Sequence, residues 1–179
     1  MSLLALGGVA TLPRAKGVPS QEDVLALALA AEELAREVYR RAVAARPFRG
    51  PWAAYLEAAL AQEEEHARRL REALGRQPAL RFRLPEVFQS PILLLRPLES
   101  PEEAFVGAYL GALPLLEGEA LRLAGAILGV EAGHRVLVRQ ARLELQDPLL
   151  RPPFVANDRA LEQALSPEGA REALKPYLP

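Results

Sequence analysis

The chain contains no cysteine. That excludes disulfides, thiol catalysis, iron–sulfur clusters and cysteine-bound zinc, and it leaves the redox compartment unreadable. Histidine is nearly as scarce, with two in 179 residues, His66 and His134. Excess charge is missing too. The formal net charge is -1, so no broad field draws a nucleic acid or an anionic membrane surface. No apolar run reaches the roughly 18 residues that a membrane-spanning helix needs. Residues 1–12 look like the apolar core of an export signal, but no basic region precedes them. They are read as an apolar arm lying against the protein or a partner, with a cytoplasmic location. The alternative is a remnant of an export signal and an exported protein.

What is present favours helix. Half the residues are apolar and a quarter charged, as in a globular domain with a real core. Alanine, leucine, glutamate and arginine dominate, and all four are strong helix formers. The length fits one domain with appendages.

Residues 1–19 carry Gly7, Gly8, Pro13, Gly17 and Pro19 and read as an irregular N-terminal arm. Ser20 then offers an N-cap, with Glu22 and Asp23 in the first turn, for a helix over about 21–45. Pro47 to Pro51 form a turn into a second helix over about 51–74, closed by Gly75. Residues 76–100 hold Pro78, Pro85, Pro91 and Pro97 and read as a long crossover without helical periodicity. Ser100-Pro101-Glu102-Glu103 reads as the start of a third helix, running to about Leu113. A fourth helix, rich in small residues, is expected over about 119–145. The bundle therefore occupies residues 20–146. A C-terminal tail over 147–179 is expected to hold two short helical pieces, one capped near Asn157 or Asp158, one starting at Ser166-Pro167-Glu168.

The two histidines each follow a glutamate by three residues, in Glu63-x-x-His66 and Glu131-x-x-His134. On a helix this spacing puts carboxylate and imidazole one turn apart on one face. Each pair has company upstream. Glu32 is followed seven residues later by Tyr39, and Glu102 by Tyr109, so the two halves of the chain repeat. In the first predicted hairpin, Glu32 lies 13 residues before the end of its helix and Glu63 lies 12 after the start of the next. They come level when the helices pair antiparallel. Glu102 and Glu131 come level in the same way. Trp52 and Phe48 are read as packing residues.

Four carboxylates and two imidazoles in a bundle core are destabilising unless something offsets their charge. Two divalent cations do so. A Glu from each of two helices plus Glu-x-x-His from each of the other two is the ligand set of di-iron and di-manganese carboxylate bundles. Oxygen and imidazole donors suit iron or manganese and also admit zinc.

Ala31-Glu32-Glu33-Leu34 with Tyr39, Glu63-Glu64-Glu65-His66-Ala67, Gly107-Ala108-Tyr109-Leu110-Gly111-Ala112 and Val130-Glu131-Ala132-Gly133-His134 resemble the ferritin-like proteins. The resemblance is to the group that includes bacterial proteins and plant desiccation-related proteins, and it covers about residues 20–145. It implies an all-α, ferritin-like four-helix bundle of two antiparallel hairpins joined by a long crossover. It implies Glu32, Glu63, His66, Glu102, Glu131 and His134 as ligands of two metal ions, iron or manganese. Glu63 and Glu131 would bridge, Glu32 with His66 and Glu102 with His134 would be terminal, and Tyr39 and Tyr109 would hydrogen-bond to the ligands. Glu102 is the departure. The expected helix start puts it in a fraying first turn, where the helix dipole alone also explains a glutamate.

The expected activity is redox chemistry with O2 or peroxide, of ferroxidase, peroxidase or oxidase type. Alternatives are a subunit of an iron-storage cage and a stress-associated bundle without metal chemistry. The small-residue helix faces are consistent with a homodimer.

Overall fold

The computed structural model describes residues 17–76 and 78–179. The expected arm and its signal-like stretch therefore lie almost wholly outside the described residues. Within them the fold is all-helical, with no strand.

Helix α1 spans Gln21–Ala45. Ser20 caps it: the Asp23 amide donates to the serine hydroxyl at 3.1 Å, and the Ser20 amide donates back to the Asp23 carboxylate at 3.0 Å. Arg46, in the left-handed region at φ 51°, ends it. Helix α2 spans Pro51–Leu74, starts after Gly50 and stops at Gly75, whose φ of 68° favours glycine. Helix α3 spans Pro91–Ala112, and a 3-10 turn at Leu113–Leu115 leads into α4, Gly118–Glu144. α1 pairs chiefly with α2, and α3 with α4; the contacts of α1 with α3 and of α2 with α4 are sparser.

The third helix begins about ten residues earlier than expected. Ser90, not Ser100, is its N-cap, and Pro91, not Pro101, is its first residue. The connection from α2 therefore ends at Ser90, short of the expected crossover over 76–100. Pro97 and Pro101 both lie inside the helix. Each removes an intrahelical bond, normally at a cost of about 3 kcal/mol. Their spacing of four sets both rings on one side, lining a groove with Leu34, Val38, Phe88 and Phe105. Burial of Leu94, Leu95, Leu98, Glu102, Phe105, Val106 and Tyr109 at helical spacing outweighs the two prolines. As a result Glu102 is the twelfth residue of a 22-residue helix, not part of a fraying end.

The tail is anchored as an extended strap. Asp147 accepts from Arg96 at 2.6 Å and from Arg142 at 2.9 Å. Arg139 donates to the carbonyls of Val155 and Ala156 and to Asp158. The piece expected near Asn157 is not helical, because Asp158 serves as a partner for Arg139 instead of capping a helix. Helix α5, Pro167–Leu174, does follow Ser166, whose hydroxyl accepts from the Gly169 amide. It lies on α3 and α1, and Leu27, Phe105, Leu165 and Leu174 meet along the seam. The approach is close: a Cβ on Gly111 would sit 1.8 Å from the Leu165 carbonyl oxygen.

Two apolar clusters fill the ends of the bundle. One gathers Leu25, Leu29, Leu70, Ala124 and Ile127, and the other Ala42, Leu56, Leu94, Leu98 and Val138. Every residue of the Glu/His set falls in the layer between them.

Candidate metal centre

The layer is almost completely enclosed. Glu32, Glu63 and Glu131 have no exposed surface, Glu102 and His134 have almost none, and His66 is 8% exposed. Each helix of the bundle contributes at its middle: Glu32 from α1, Glu63 and His66 from α2, Glu102 from α3, Glu131 and His134 from α4. The early start of α3 is what makes the set complete, since it places Glu102 on a rigid turn.

Glu32, Glu63, His66 and Glu131 each offer one donor atom within 4.8 Å of the others, and so do Glu102, Glu131 and His134. The contacts have a pattern. His66 Nδ1 lies 3.0 Å from Glu32 Oε2, 3.5 Å from Glu63 Oε2 and 3.2 Å from Glu131 Oε1. His134 Nδ1 lies 2.9 Å from Glu63 Oε1, 3.8 Å from Glu102 Oε2 and 3.9 Å from Glu131 Oε2. Glu63 and Glu131 each turn one oxygen to each histidine. Glu32 approaches only His66, and Glu102 approaches only His134.

Most of these atoms find no aligned hydrogen bond. Both oxygens of Glu63, both of Glu131, Glu102 Oε2 and His134 Nδ1 are buried without a partner. Buried polar atoms are normally paired, so a cluster of orphans aimed at one another fits an occupant that is not a hydrogen-bond donor. Carboxylate oxygens and imidazole nitrogens are donors that a divalent cation accepts.

The protonation states show what the cluster does without such an occupant. Burial drives the Glu63 and Glu131 carboxyls well above their usual range, and the neighbouring Glu32 charge adds to it. Burial and then Glu131 push Glu102 up to about 8. For Glu32 burial also pushes upward, but the 3.0 Å contact with His66 wins and lowers it. Burial disfavours a charged His66, yet Glu131, Glu32 and Glu63 together raise it to about 12. His134 goes the other way, lowered chiefly by burial. Its Nε2 lies 2.8 Å from Gln62 Oε1, an acceptor. A neutral His134 therefore carries its proton on Nε2 and turns a free Nδ1 lone pair into the cluster.

The two tyrosines do hydrogen-bond to the outer glutamates, but across hairpins. Tyr39 of α1 donates to Glu102 of α3 at 2.5 Å, and Tyr109 of α3 donates to Glu32 of α1 at 2.5 Å. Glutamate and tyrosine seven residues apart share a helix face, and the partner of each is the other half's glutamate.

Two neighbours were not singled out from the sequence. Tyr55 bonds Tyr39 through their hydroxyls at 3.0 Å, and Gln62 orients His134. Tyr55 did leave a signal, because it stands eight residues before Glu63 on the same helix face. Gln62 left none, since its reach to His134 depends on how α2 and α4 pack.

The comparisons agree with this architecture. No curated protein matches the chain. A family model described as ferritin-like domain matches residues 20–144, the whole of the four-helix bundle from the Ser20 cap to the end of α4. The chain belongs to the ferritin-like domain family.

Proposed function

We propose that this protein holds two metal ions, iron or manganese, and carries out redox chemistry with O2 or peroxide of the ferroxidase, peroxidase or oxidase type. The observation that carries the reading is the sharing of Glu63 and Glu131, each with one oxygen toward each histidine. In this reading Glu63 and Glu131 would hold both ions, Glu32 with His66 would hold one, and Glu102 with His134 would hold the other. A pair of such ions supplies reversible one-electron steps and a place for O2 or peroxide to be reduced.

The chain's own residues do the rest. Tyr39 and Tyr109 hold the free oxygens of Glu102 and Glu32, which turns the other oxygens inward. Gln62 fixes the His134 tautomer. The apolar clusters at either end exclude bulk water and strengthen every electrostatic contact between them.

The test is metal analysis of the purified protein, with optical spectra after Fe(II) and then air are added to the metal-free form. Two ions per chain and a new near-ultraviolet band are expected, both lost in Glu131→Ala and His134→Ala. A wild type that takes up neither iron nor manganese would sink the reading and leave a bundle that works without metal chemistry.

A further inference from the structure

Helix α4 has one face that its own chain leaves uncovered. Between Arg122 and Glu144 every charged side chain of α4 turns inward or is tied to a neighbour. Glu131, Arg135 and Arg139 are buried, and Arg142 bonds Glu99 and Asp147. The side chains left wholly or partly open to water there are glycine, alanine, valine, leucine and glutamine. At helical spacing the outer row reads Ala126, Gly129, Gly133, Val136 and Gln140. The apolar face continues onto the strap. Among the described residues eight large hydrophobic side chains are exposed, and six of them are Leu121, Leu137 and Leu143 of α4 and Leu149, Val155 and Leu161 of the strap. Arg139 holds the strap beside α4 through the Val155 and Ala156 carbonyls, and Arg135 does so through Glu162. Exposed apolar residues gathered in one place mark a docking surface, whereas scattered ones do not.

The glycines say how close the occupant comes. A Cβ added at Gly125, Gly129 or Gly133 would meet nothing else among the described residues within 4 Å. Nothing described in the chain therefore asks for glycine at these three positions. In a helix interior glycine is the least favourable residue after proline. The backbone of a second helix laid against them supplies the missing reason.

We infer that this face binds a second copy of the chain, with the two α4 helices antiparallel about a two-fold axis at Gly133. The charges at the ends of the face select that occupant. Arg122 and Glu144 are both exposed, and each stands 11 residues from Gly133, on opposite sides of it. In an antiparallel pair centred there, Arg122 of each copy meets Glu144 of the other. Leu137 settles over Gly129, Ala126 meets Gln140, and Gly133 meets its own mate. A two-fold contact must be self-complementary, and opposite charges at equal distances from the centre meet that condition.

The size is sufficient. From Arg122 to Glu144 the helix is about 33 Å long, and with the strap beside it the strip is about 20 Å wide. That gives roughly 650 Å² per copy and about 1,300 Å² for the pair, above the ~1,000 Å² expected of a specific interface. The existing partners of the end charges do not prevent the exchange. Glu144 accepts from the neutral groups of Trp52 and Gln140, which leave its charge in place, and Arg122 pairs with Glu119 on the open surface of the same helix. The inference assumes nothing about the metal site.

Because the chain has no cysteine, an introduced thiol is the only one, and it reports the register. Sedimentation equilibrium of the full chain at micromolar concentrations should show a species of twice the 19.5 kDa chain mass. Gly133→Cys should cross-link to itself under mild oxidation. Ala126→Cys and Gln140→Cys should each stay unlinked alone, because each then lies about 21 Å from its mate, and should join to one another when mixed. Arg122→Glu and Glu144→Arg should each raise the dimer Kd about tenfold, and the double exchange should restore it. Melting curves establish that each variant is folded, and if a charge variant is not, the mixed cysteine pair decides alone. A wild type that stays monomeric, with the face bare or covered by residues 1–16 of its own chain, overturns the inference. So does a dimer in which Ala126→Cys links to itself or the mixed pair fails to join, since its helices then lie parallel or in another register.

Discussion

Loading the cluster with divalent cations should expel about four protons near neutral pH. The count follows from the protonation of the empty cluster. Glu63 and Glu131 are held neutral by burial and by the Glu32 charge. Glu102, pushed up to about 8 by burial and then by Glu131, is still largely protonated at pH 7. His66 carries its second proton, because three carboxylates raise it to about 12 against the effect of burial. Glu32 is ionised and His134 neutral. The empty cluster is thus close to zero net charge, and two divalent ions preserve that balance by displacing a proton from each of the first four groups.

The assay is calorimetric titration of Mn(II) or Zn(II), neither of which reacts with O2 under these conditions, in two buffers of different ionisation enthalpy. The difference in apparent heat reports the protons released. The overall constant for both ions should then climb by about four decades per pH unit around neutrality. Above pH 8 the slope should ease, because Glu102 has already lost its proton. Release of one proton or none would refute the reasoning: either the carboxylates are already ionised in the empty protein, or the ions bind elsewhere.

Three further outcomes follow from the same structure. The metal-free protein should lose stability as pH rises from 4.5 to about 8, because Glu102 has a folded pKa above its ordinary value, so its contribution is complete below 4.5 and gone above about 8; His66 extends the loss from 6.5 toward about 12, and differential scanning calorimetry across pH 5–9 measures it. Glu131→Gln replaces a buried acid by a neutral amide of the same shape, so the metal-free variant should melt no lower than wild type; it should also forfeit the rise that metal gives wild type, about 2.7 kcal/mol per ion at 100 times Kd, or about 5–10 °C for a chain of this size. Gly111→Ala drives a methyl into the Leu165 carbonyl 1.8 Å away and should cost about 1–3 kcal/mol by denaturant titration, with faster proteolysis of the segment from 147 onward; unchanged stability would mean that α5 does not sit on α3 as described.

How far the sequence carried depended on which kind of signal each feature leaves. α1 and α2 were legible to the residue because their ends carry local chemistry: the Ser20 and Asp23 box, Pro51 after Gly50, and Gly75 at positive φ. The start of α3 was not. Pro97 and Pro101 are local signals against a helix, and they hid the Leu94, Leu98, Glu102, Phe105, Tyr109 stripe that tertiary burial rewards. The gathering of the six Glu and His residues in one layer was legible because the motif repeats and the hairpins bring the halves level. The tyrosine partners were only half legible. Helical spacing puts Tyr39 on the face of Glu32, but which glutamate it reaches is decided by the packing of α1 against α3. The strap over 147–165 was illegible for the same reason, being held by Arg96, Arg139 and Arg142, whose partners are far away in sequence.

The exchange of tyrosines also explains how a layer of unpaired acids can be tolerated. The α1–α3 and α2–α4 contacts are sparse, and the two hairpins are joined through the apolar clusters at each end, through α5 and through the middle of the bundle. In that middle, Tyr39 ties α1 to Glu102, Tyr109 ties α3 to Glu32, and Gln62 ties α2 to His134 of α4. The Tyr109 bond to the ionised Glu32 is worth about 1.5–3 kcal/mol and the bonds to Glu102 and His134 about 0.5–1.5 kcal/mol each, and all three cross between hairpins. The outer groups of the cluster thus hold the hairpins in register, while Glu63 and Glu131 keep oxygens that no hydrogen bond satisfies. The division is physical. An inner glutamate tied up by hydrogen bonds would stabilise the empty bundle and lose the free oxygens that face both histidines. An outer glutamate left untied would let α1 and α3 slide and move the inner pair off centre. The bundle therefore concentrates its instability in the two carboxylates positioned to be shared, and supports them with bonds that do not compete for the same oxygens.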